Sequence, residues 1–377
     1  MKNKYIKGAV ILGASIMASE GIAASMDTVK IDGFLSTRYS VTDDPAFYLE
    51  HRDDGGINED GSFYGTKLGL NISTQVNDKL SVATQLLSSI QEGGYSTTLD
   101  WAFANISLSP DLDLRVGKIK YPVGLVNEYV DVGVAYPWIQ APVVIYSELP
   151  TAAQATREAY TGLSFLKTMA VDDWTYSADF FAGQVDLTGM TIKKLLGVSF
   201  RANWDDVVEM QLATYQGTMK PTDLTAPMAT AMDGKTHSAT TAGIKADWNN
   251  VIAYAEYAKV EMDTEGMMKD RMNSDSWYAT LGYRMGQWMP HVTVQDWQQK
   301  SGMGATDGYG SAITTVGLNY SISPKTVVKF EVSTIETDQF NNTALLATEG
   351  VGLFPSDSPL PADDSTQMYS IALDTVF

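Results

Sequence analysis

The feature that most constrains the fold is an alternation of apolar and polar residues, which recurs in short segments along most of the chain. In the segment LGVSFRANW, one face carries Leu196, Val198, Phe200 and Ala202, and the other carries Gly197, Ser199, Arg201 and Asn203. Segments 277–285 and 326–336 follow the same pattern. A period of two residues is typical of a β-strand with one apolar face, and about ten residues suffice for a tilted strand to cross a bilayer.

Seven short turn signals join these segments in pairs. They lie at 76–79, 109–113, 170–174, 204–206, 248–250, 285–288 and 321–325. They contain the Asn, Asp, Gly and Pro residues that tight turns require. Eight longer and more polar connections alternate with them, near 41–61, 89–96, 121–157, 185–190, 217–239, 261–274, 299–308 and 337–366. This order predicts an all-β fold, a transmembrane antiparallel β-barrel of sixteen strands with short periplasmic turns and long extracellular loops.

A water-soluble β-sandwich would show the same alternation, so the positions of the eight tryptophans provide a separate test. Four of them lie in or beside the short turns, at Trp174, Trp204, Trp248 and Trp288. Trp101, Trp277 and Trp297 lie toward the long-loop ends of their segments. Because indole side chains prefer the boundary between membrane and water, this distribution favours the membrane barrel.

The first 24 residues predict the compartment. Lys2, Lys4 and Lys7 precede a short apolar run at 8–18, and a cleavage-site segment at 22–24 that ends in two alanines follows it. This is the order of charge, apolar core and cleavage site in a secretory signal peptide. We therefore expect residues 1–24 to be cleaved and residues 25–377 to form a single barrel domain. The formal net charge of −19 argues against nucleic acid as a partner.

The segment YSIALDTVF at 369–377 alternates as well, with Tyr369, Ile371, Leu373 and Phe377 on one face. We expect this strand to pair with the first one, at 29–40, because a sheet in lipid cannot keep a free edge. Together with the signal peptide, the terminal aromatic segment resembles the outer-membrane porins of Gram-negative bacteria. The resemblance implies a water-filled channel in the outer membrane, usually trimeric, for passive diffusion of small hydrophilic solutes. It also implies that the barrel-assembly machinery recognises these four residues.

The connection at 121–157 is too apolar for a solvated loop, because it contains many valines, isoleucines and a tryptophan. Such a segment must pack against another surface. It is the third long loop, which in many porins folds into the barrel and narrows the pore. Its opening, GKIKYPVGL, is similar to the porin pattern G-R-x-x-x-P-x-G, with Lys118 in place of Arg. We expect an infolded constriction loop, and a subunit contact or an outer cap remains the alternative.

Alternation along the strands predicts a basic inner wall. Its residues are Arg38, Lys67, Arg115, Arg201, Lys245, Arg284 and Lys329. The infolded loop carries the acids Glu128, Asp131 and Glu148. Opposed rows of charge would set a transverse field that orients polar solutes, as related porins do. Alternatively, each basic group pairs with a nearby acid, such as Asp32, Asp113, Glu209, Asp247 or Glu331, and only holds the wall together.

Other chemistry has weak support in the sequence. With three histidines in distant segments and no cysteine, no catalytic constellation stands out, so we expect neither an enzyme nor a cofactor. The acidic stretch with Asp53, Asp54, Glu59 and Asp60 suits Ca²⁺, but a solvated loop is the simpler interpretation. If a divalent ion binds there, it could bridge to lipopolysaccharide or to a neighbouring subunit.

Two further functions remain open at this point. The first is a channel selective for one solute class, such as a sugar or an organic anion, with a track formed by Tyr160, Tyr215, Tyr254 and Tyr278. Tyrosines on an inner wall also simply fill space, so this feature does not decide the matter. The second is a surface protein, such as a phage receptor or adhesin, whose pore is incidental.

Overall fold

Sixteen antiparallel strands close into a barrel in the part of the chain that the structure describes. The structure is a computed structural model, and it describes residues 29–49, 56–91, 94–146, 159–187, 189–225, 227–264, 273–300, 308–339, 353–354 and 364–377. Each strand pairs with its neighbours in sequence, and the last pairs with the first. The predicted fold class is confirmed. The predicted signal peptide at 1–24 lies outside the described residues.

The strands have these bounds in chain order: β1 Val29–Thr42, β2 Lys67–Asn77, β3 Leu80–Gln91, β4 Gly94–Ser109, β5 Leu112–Lys120, β6 Ala159–Val171, β7 Trp174–Leu187, β8 Met190–Trp204, β9 Val208–Pro221, β10 Thr236–Trp248, β11 Val251–Met262, β12 Ser274–Tyr283, β13 Trp288–Lys300, β14 Gly308–Ser323, β15 Thr326–Gln339 and β16 Ser365–Val376. Two short helices, α1 (Val143–Tyr146) and α2 (Pro227–Met232), lie in connections. Within the described ranges, no helix has the length and apolar character needed to cross a membrane.

The seam between β1 and β16 closes the barrel. Ser36 lies opposite Asp374 and Arg38 lies opposite Ala372. Gly33 and Phe377 exchange two backbone hydrogen bonds, each 3.0 Å from nitrogen to oxygen. The pairing of the first and last strands is therefore as predicted, and it satisfies backbone groups that lipid could not.

The seven short turns lie where the sequence predicts them. In the turn between β10 and β11, Asn249 and Asn250 have φ values of 48° and 72°. Positive φ at both central positions is the geometry of the hairpin turn that matches strand twist, and asparagine tolerates it well. Asp172 and Asp205 also adopt positive φ in their turns.

The prediction of a long connection is wrong at two of the eight positions, where the structure has tight hairpins. Strand β3 ends at Gln91 and β4 begins at Gly94, while β7 ends at Leu187 and β8 begins at Met190. The polar residues near 89–96 and 185–190 continue the strands instead of forming loops. A hairpin that extends beyond the apolar band has no need of an apolar face, so its composition resembles that of a loop.

The outer surface of the barrel is apolar. Large exposed side chains lie on the outward face of most strands, among them Leu196, Leu281, Val316 and Phe330. On β16, Tyr369, Ile371 and Leu373 are exposed in the same way, and Phe377 follows them. A contiguous apolar exterior is the arrangement that a hydrocarbon environment requires.

Tryptophans at the short-turn rim form part of this exterior. Trp174 and Trp204 stack with ring centroids 6.4 Å apart, and Trp248 and Trp288 are exposed. Trp101 and Trp297, by contrast, are buried on the inner face, so the interpretation that places them at the membrane boundary is wrong. Trp101 shares the inward face of β4 with Phe103, and the bulge opposite Gln85 turns Asp100 to that face as well.

The inside-out arrangement predicts the effect of an introduced charge. Val316 is 61% exposed at the middle of β14, so Val316→Arg should lower the free energy of unfolding by about 2–4 kcal/mol, the cost of arginine near a bilayer midplane. Denaturant unfolding of the protein in lipid vesicles measures this. Ser81→Arg, on the inward face of β3, is the control and should cost much less. Equal losses for the two variants would contradict the outward placement of Val316.

Candidate channel constriction

The segment 121–146, which follows β5, lies inside the barrel. Its apolar side chains are almost fully buried and form one cluster with the inward faces of the strands. The buried members include Tyr121, Val123, Leu125, Val126, Trp138 and Ile145. The apolar composition of the segment is thus explained by packing inside the barrel. Residues 147–157 of the predicted loop lie outside the described residues.

The first part of the segment packs against the wall from β6 to β11. The ring of Tyr121 meets those of Tyr160, Phe181 and Tyr215, with centroids 5.0–5.6 Å apart. Gln211 of β9 donates to the Pro122 carbonyl at 3.2 Å. These contacts fix the point where the chain leaves β5 and enters the interior.

Glu256 of β11 is a second fixed point. Its carboxylate accepts a hydrogen bond from the Leu125 backbone nitrogen at 3.1 Å and another from the Tyr146 hydroxyl. The Tyr278 hydroxyl donates to the same carboxylate at 3.2 Å. Residues 125 and 146, near the two ends of the described segment, are therefore held by one side chain.

The middle of the segment reaches the opposite wall. Trp138 Nε1 lies 2.9 Å from the hydroxyl oxygens of both Thr280 and Thr293, on β12 and β13. The Ile139 backbone nitrogen donates to Glu331 of β15 at 2.8 Å. Asn319 of β14 donates to the Pro137 carbonyl at 2.8 Å. The segment therefore spans the interior instead of lining one side of it.

Lys329 of β15 provides the densest set of contacts to the segment. Its ammonium donates to the carbonyls of residues 133, 136 and 138, at 2.6, 3.0 and 2.6 Å. It also pairs with Asp374 of β16 at 3.0 Å, and its side chain is 1% exposed. Gly133 is required here, because a Cβ at that position would overlap the Asp374 carboxylate. Lys329 therefore anchors the segment and is not open to solutes.

Arg38 extends this anchor across the seam. Its guanidinium donates to the Tyr136 hydroxyl at 3.4 Å. Lys329, Asp374 and Arg38 belong to β15, β16 and β1, so the anchor joins the two strands that close the barrel and the strand beside them.

Asp131 forms a separate buried charge network. It pairs with Lys67 at 2.6 Å and with Lys120 at 2.9 Å, and Lys120 also pairs with Asp100 at 3.0 Å. Gln85 donates to Asp100 at 2.6 Å. Burial alone would raise the pKa of Asp131, but the two lysines outweigh it and hold the pKa well below its usual value. The network ties the segment to β2, β4 and β5.

Glu128 is the centre of the charges that water reaches. It pairs with Arg201 at 2.7 Å, and Arg201 also contacts Glu209 at 3.2 Å. The side chain of Glu128 is 33% exposed and that of Arg201 is 27% exposed. Its enclosed position would raise the pKa of Glu128, but Arg201 and Arg115 outweigh this and lower it.

Two further predicted basic residues, Lys245 and Arg284, lie near the short-turn ends of their strands, as Arg201 does. The Lys245 ammonium is 5.7 Å from the ring centroids of Tyr129 and Tyr254. Arg284 follows the end of β12 and pairs with Asp247 at 2.6 Å. Arg201, Lys245 and Arg284 are close to the short-turn ends of β8, β10 and β12, so these charged side chains lie near the short-turn rim.

The structure joins the predicted charges in pairs instead of separating them into opposed rows. The pairs are Arg201 with Glu128, Lys67 with Asp131, Lys329 with Asp374 and Arg284 with Asp247. Arg115 lies on the inward face of β5, with its guanidinium 5.7 Å from the ring centroid of Phe103. Glu148 lies outside the described residues.

Parts of the first and last long connections are also buried in the barrel interior. Tyr48 and Phe354 contact each other with ring centroids 5.5 Å apart, and the Leu49 nitrogen donates to the Leu353 carbonyl at 3.0 Å. Both pairs belong to the same apolar cluster as the infolded segment. The long-loop side of the barrel is therefore narrowed by three connections.

The candidate tyrosine track does not face open water. Tyr160, Tyr215, Tyr254 and Tyr278 are between 1% and 4% exposed, and they pack against the segment. Of the candidate calcium ligands, Asp53 and Asp54 lie outside the described residues, while Glu59 and Asp60 are exposed. Within the described ranges, no three His, Cys, Asp or Glu side chains are grouped as a metal site requires.

Sequence reasoning missed Asp100, Lys120, Glu256 and Asp374 as residues that hold the segment. Asp374 carries a usable signal, because it is an acid on the inward face of an otherwise regular strand. Asp100 carries no such signal, because only the bulge in β4 turns it to the same inward face as Trp101. The partners of all four come from distant parts of the chain, which no local pattern specifies.

The anchor at Lys329 predicts a large loss of stability on truncation. Lys329→Met leaves Asp374 buried without its partner, which typically costs about 3–5 kcal/mol in the free energy of unfolding. The double variant Lys329→Met, Asp374→Asn removes the charge on both sides and should recover part of that loss. Denaturant unfolding in vesicles measures both. No recovery in the double variant would show that the pair is not coupled.

The lowered pKa values of Glu128 and Asp131 predict the pH dependence of segment docking. A carboxylate with a lowered folded-state pKa contributes stability above its unfolded pKa, near 4, and loses that contribution as the pH falls through the lower folded value. Protease protection of the segment should therefore be unchanged between about pH 7 and pH 5 and should fall only in stronger acid. A loss of protection near pH 6 would contradict the assignment.

A scan against family models and a search of curated proteins return no match. Among solved structures, the barrel is similar to the anion-selective porin of Comamonas acidovorans, at 12% identity over 93% of this chain and 99% of that one, with a TM-score of 0.59. It is also similar to the outer membrane channel DcaP of Acinetobacter baumannii, at 10% identity over 94% of this chain and 99% of that one, with a TM-score of 0.60. A third similar structure is the trimer form of OmpT, an outer membrane protein of Vibrio cholerae. Its identity is 13% over 93% of this chain and 99% of that one, and its TM-score is 0.57. The likeness extends over almost the full length of both partners and establishes a shared outer-membrane barrel fold.

Proposed function

We propose that the protein is an outer-membrane porin, a water-filled channel for passive diffusion of small hydrophilic solutes. The observation that carries the proposal is the partly exposed charge cluster around Glu128, inside a barrel whose exterior is apolar. Charged side chains inside a barrel with an apolar exterior would let water and polar solutes cross the membrane. Two of the similar structures are described as a porin and a channel.

The packing of the segment supports a restriction to small solutes. Side chains from β1, β2, β8, β11 and β15 all bond to it, so it occupies much of the space that a sixteen-stranded barrel encloses. We place the remaining solute path along Arg201, Glu128 and the charged side chains near the short-turn rim. Apolar solutes would have to displace water from these charges without replacing its hydrogen bonds, so they are disfavoured.

The pairing of charges supports weak ion preference. Arg201 lies between Glu128 and Glu209, and Arg284 is matched by Asp247. Paired charges largely cancel each other's field at the distance of a passing ion. A general porin with modest selectivity follows, in preference to a channel for one solute class, since the four candidate tyrosines are buried.

Several expectations from the sequence belong to the same proposal. Residues 1–24 direct export and are cleaved, and the terminal residues Tyr369, Ile371, Leu373 and Phe377 are recognised during barrel assembly. Association into a homotrimer has support from one similar structure, which is described as a trimer form. The proposal includes no catalytic step and no cofactor.

Recordings from single proteins in planar bilayers test the channel. We expect discrete conductance steps and a reversal potential near zero in a salt gradient. Glu128→Gln removes an accessible anion and should shift the reversal potential toward anion preference, while Arg115→Gln should shift it toward cations. Asp172→Asn, in an exposed turn, is the control and should leave it unchanged.

The outcomes separate the proposal from its alternatives. Saturation and block by one solute would replace the general porin with a selective channel. The absence of conductance steps would contradict the channel and leave a surface protein. A reversal potential that neither variant moves would show that the Glu128 cluster lies off the conduction path.

A further inference from the structure

Two adjacent lysines lie on the outer surface of β8, at its long-loop end. Neighbouring residues in a regular strand point to opposite faces, but the register between β8 and β9 shifts between Lys193 and Leu196. Lys194 has a φ of 54°, in the left-handed region that lysine rarely adopts. Ile192 and Leu195 are both buried inside the barrel. The bulge therefore exposes Lys193 and Lys194 together.

The position of the pair coincides with the edge of the apolar exterior. From the lysine pair toward the short-turn rim, the outward face of β8 carries Leu196, Val198, Phe200 and Ala202, and it ends at Trp204. Eight residues at about 3.3 Å each, tilted by about 40°, correspond to roughly 20 Å of height. The apolar band of such barrels is about 25 Å tall. The two ammonium groups thus lie where lipid headgroups of the outer leaflet begin.

Neither lysine is engaged elsewhere in the described part of the chain, where no hydrogen bond or ion pair joins their ammonium groups to another residue. Two acids on neighbouring parts of the chain have their own contacts. Asp233 pairs with Lys220 of β9 at 3.0 Å, and Asp186 accepts hydrogen bonds from Gln184 and Thr191. A free positive pair is unusual on a chain with a net charge of −19.

We propose that Lys193 and Lys194 bind the phosphate groups of lipopolysaccharide in the outer leaflet. Phosphate is the anionic group of that lipid, and two adjacent ammonium groups match its charge. The pair borders the exposed side chain of Leu196, so a lipid can contact both the lysines and the apolar wall. A dissolved phosphate would gain nothing from the apolar side. The inference rests on the proposed outer-membrane location.

A titration of the folded, detergent-solubilised protein with fluorescent lipopolysaccharide tests this. The test variant is Lys193→Gln, Lys194→Gln. The control variant, Lys79→Gln, Lys325→Gln, removes the same charge from exposed turns at the opposite rim. We expect the test variant to bind roughly tenfold more weakly and the control to bind like the wild type. Lipopolysaccharide with its phosphates removed should bind wild type and test variant alike.

Three results would overturn the inference. They are equal weakening in both double variants, unchanged binding in the test variant, and competition by millimolar inorganic phosphate, which would indicate a simple anion site. Heat-modified mobility on gels verifies that each variant forms the barrel. Conductance of the same preparations is expected to be unchanged. A failure of lipid binding with normal conductance therefore overturns this inference alone, while an absence of conductance bears on the proposed function.

Discussion

The structure depends on the closure of its sheet. In hydrocarbon there is no water to bond to free backbone groups, so a strand edge in lipid would leave a row of unpaired N–H and C=O groups. The pairing of β1 with β16, down to the two bonds between Gly33 and Phe377, removes that edge. Once the backbone hydrogen bonds are all formed within the sheet, successive side chains can point in turn to the lipid and to the barrel interior. Apolar groups face lipid and polar groups face the interior.

The interior is organised by charges that hold a chain segment. Lys329 and Asp374 bind the segment 121–146 beside the seam, and Asp131 binds it to β2 and β5 through Lys67 and Lys120. Buried ion pairs are costly to separate, because the partner left behind has no water. The segment is therefore a fixed part of the barrel. The charges left accessible, around Glu128, are the ones available to solutes.

Much of the fold could be predicted from local patterns, but little of the constriction could. Alternation and turn residues specify the strands one at a time, so the count of sixteen follows without long-range information. Polar hairpin ends at 89–96 and 185–190 look like loops because nothing apolar marks them. The bulge that turns Asp100 inward beside Trp101 leaves no local signature. The partners of Lys329 and Asp131 depend on where a folded segment crosses the barrel, which only the assembled structure specifies.

The central claim is that alternate residues of one strand face lipid and an aqueous interior. The chain has no cysteine, so single cysteines on β2 report on this directly. In lipid vesicles, a membrane-impermeant thiol reagent should label Ser73→Cys, on the inward face, and should leave Ile72→Cys, which is exposed on the outer face, unlabelled. Labelling of Ile72→Cys with protection of Ser73→Cys would contradict the account.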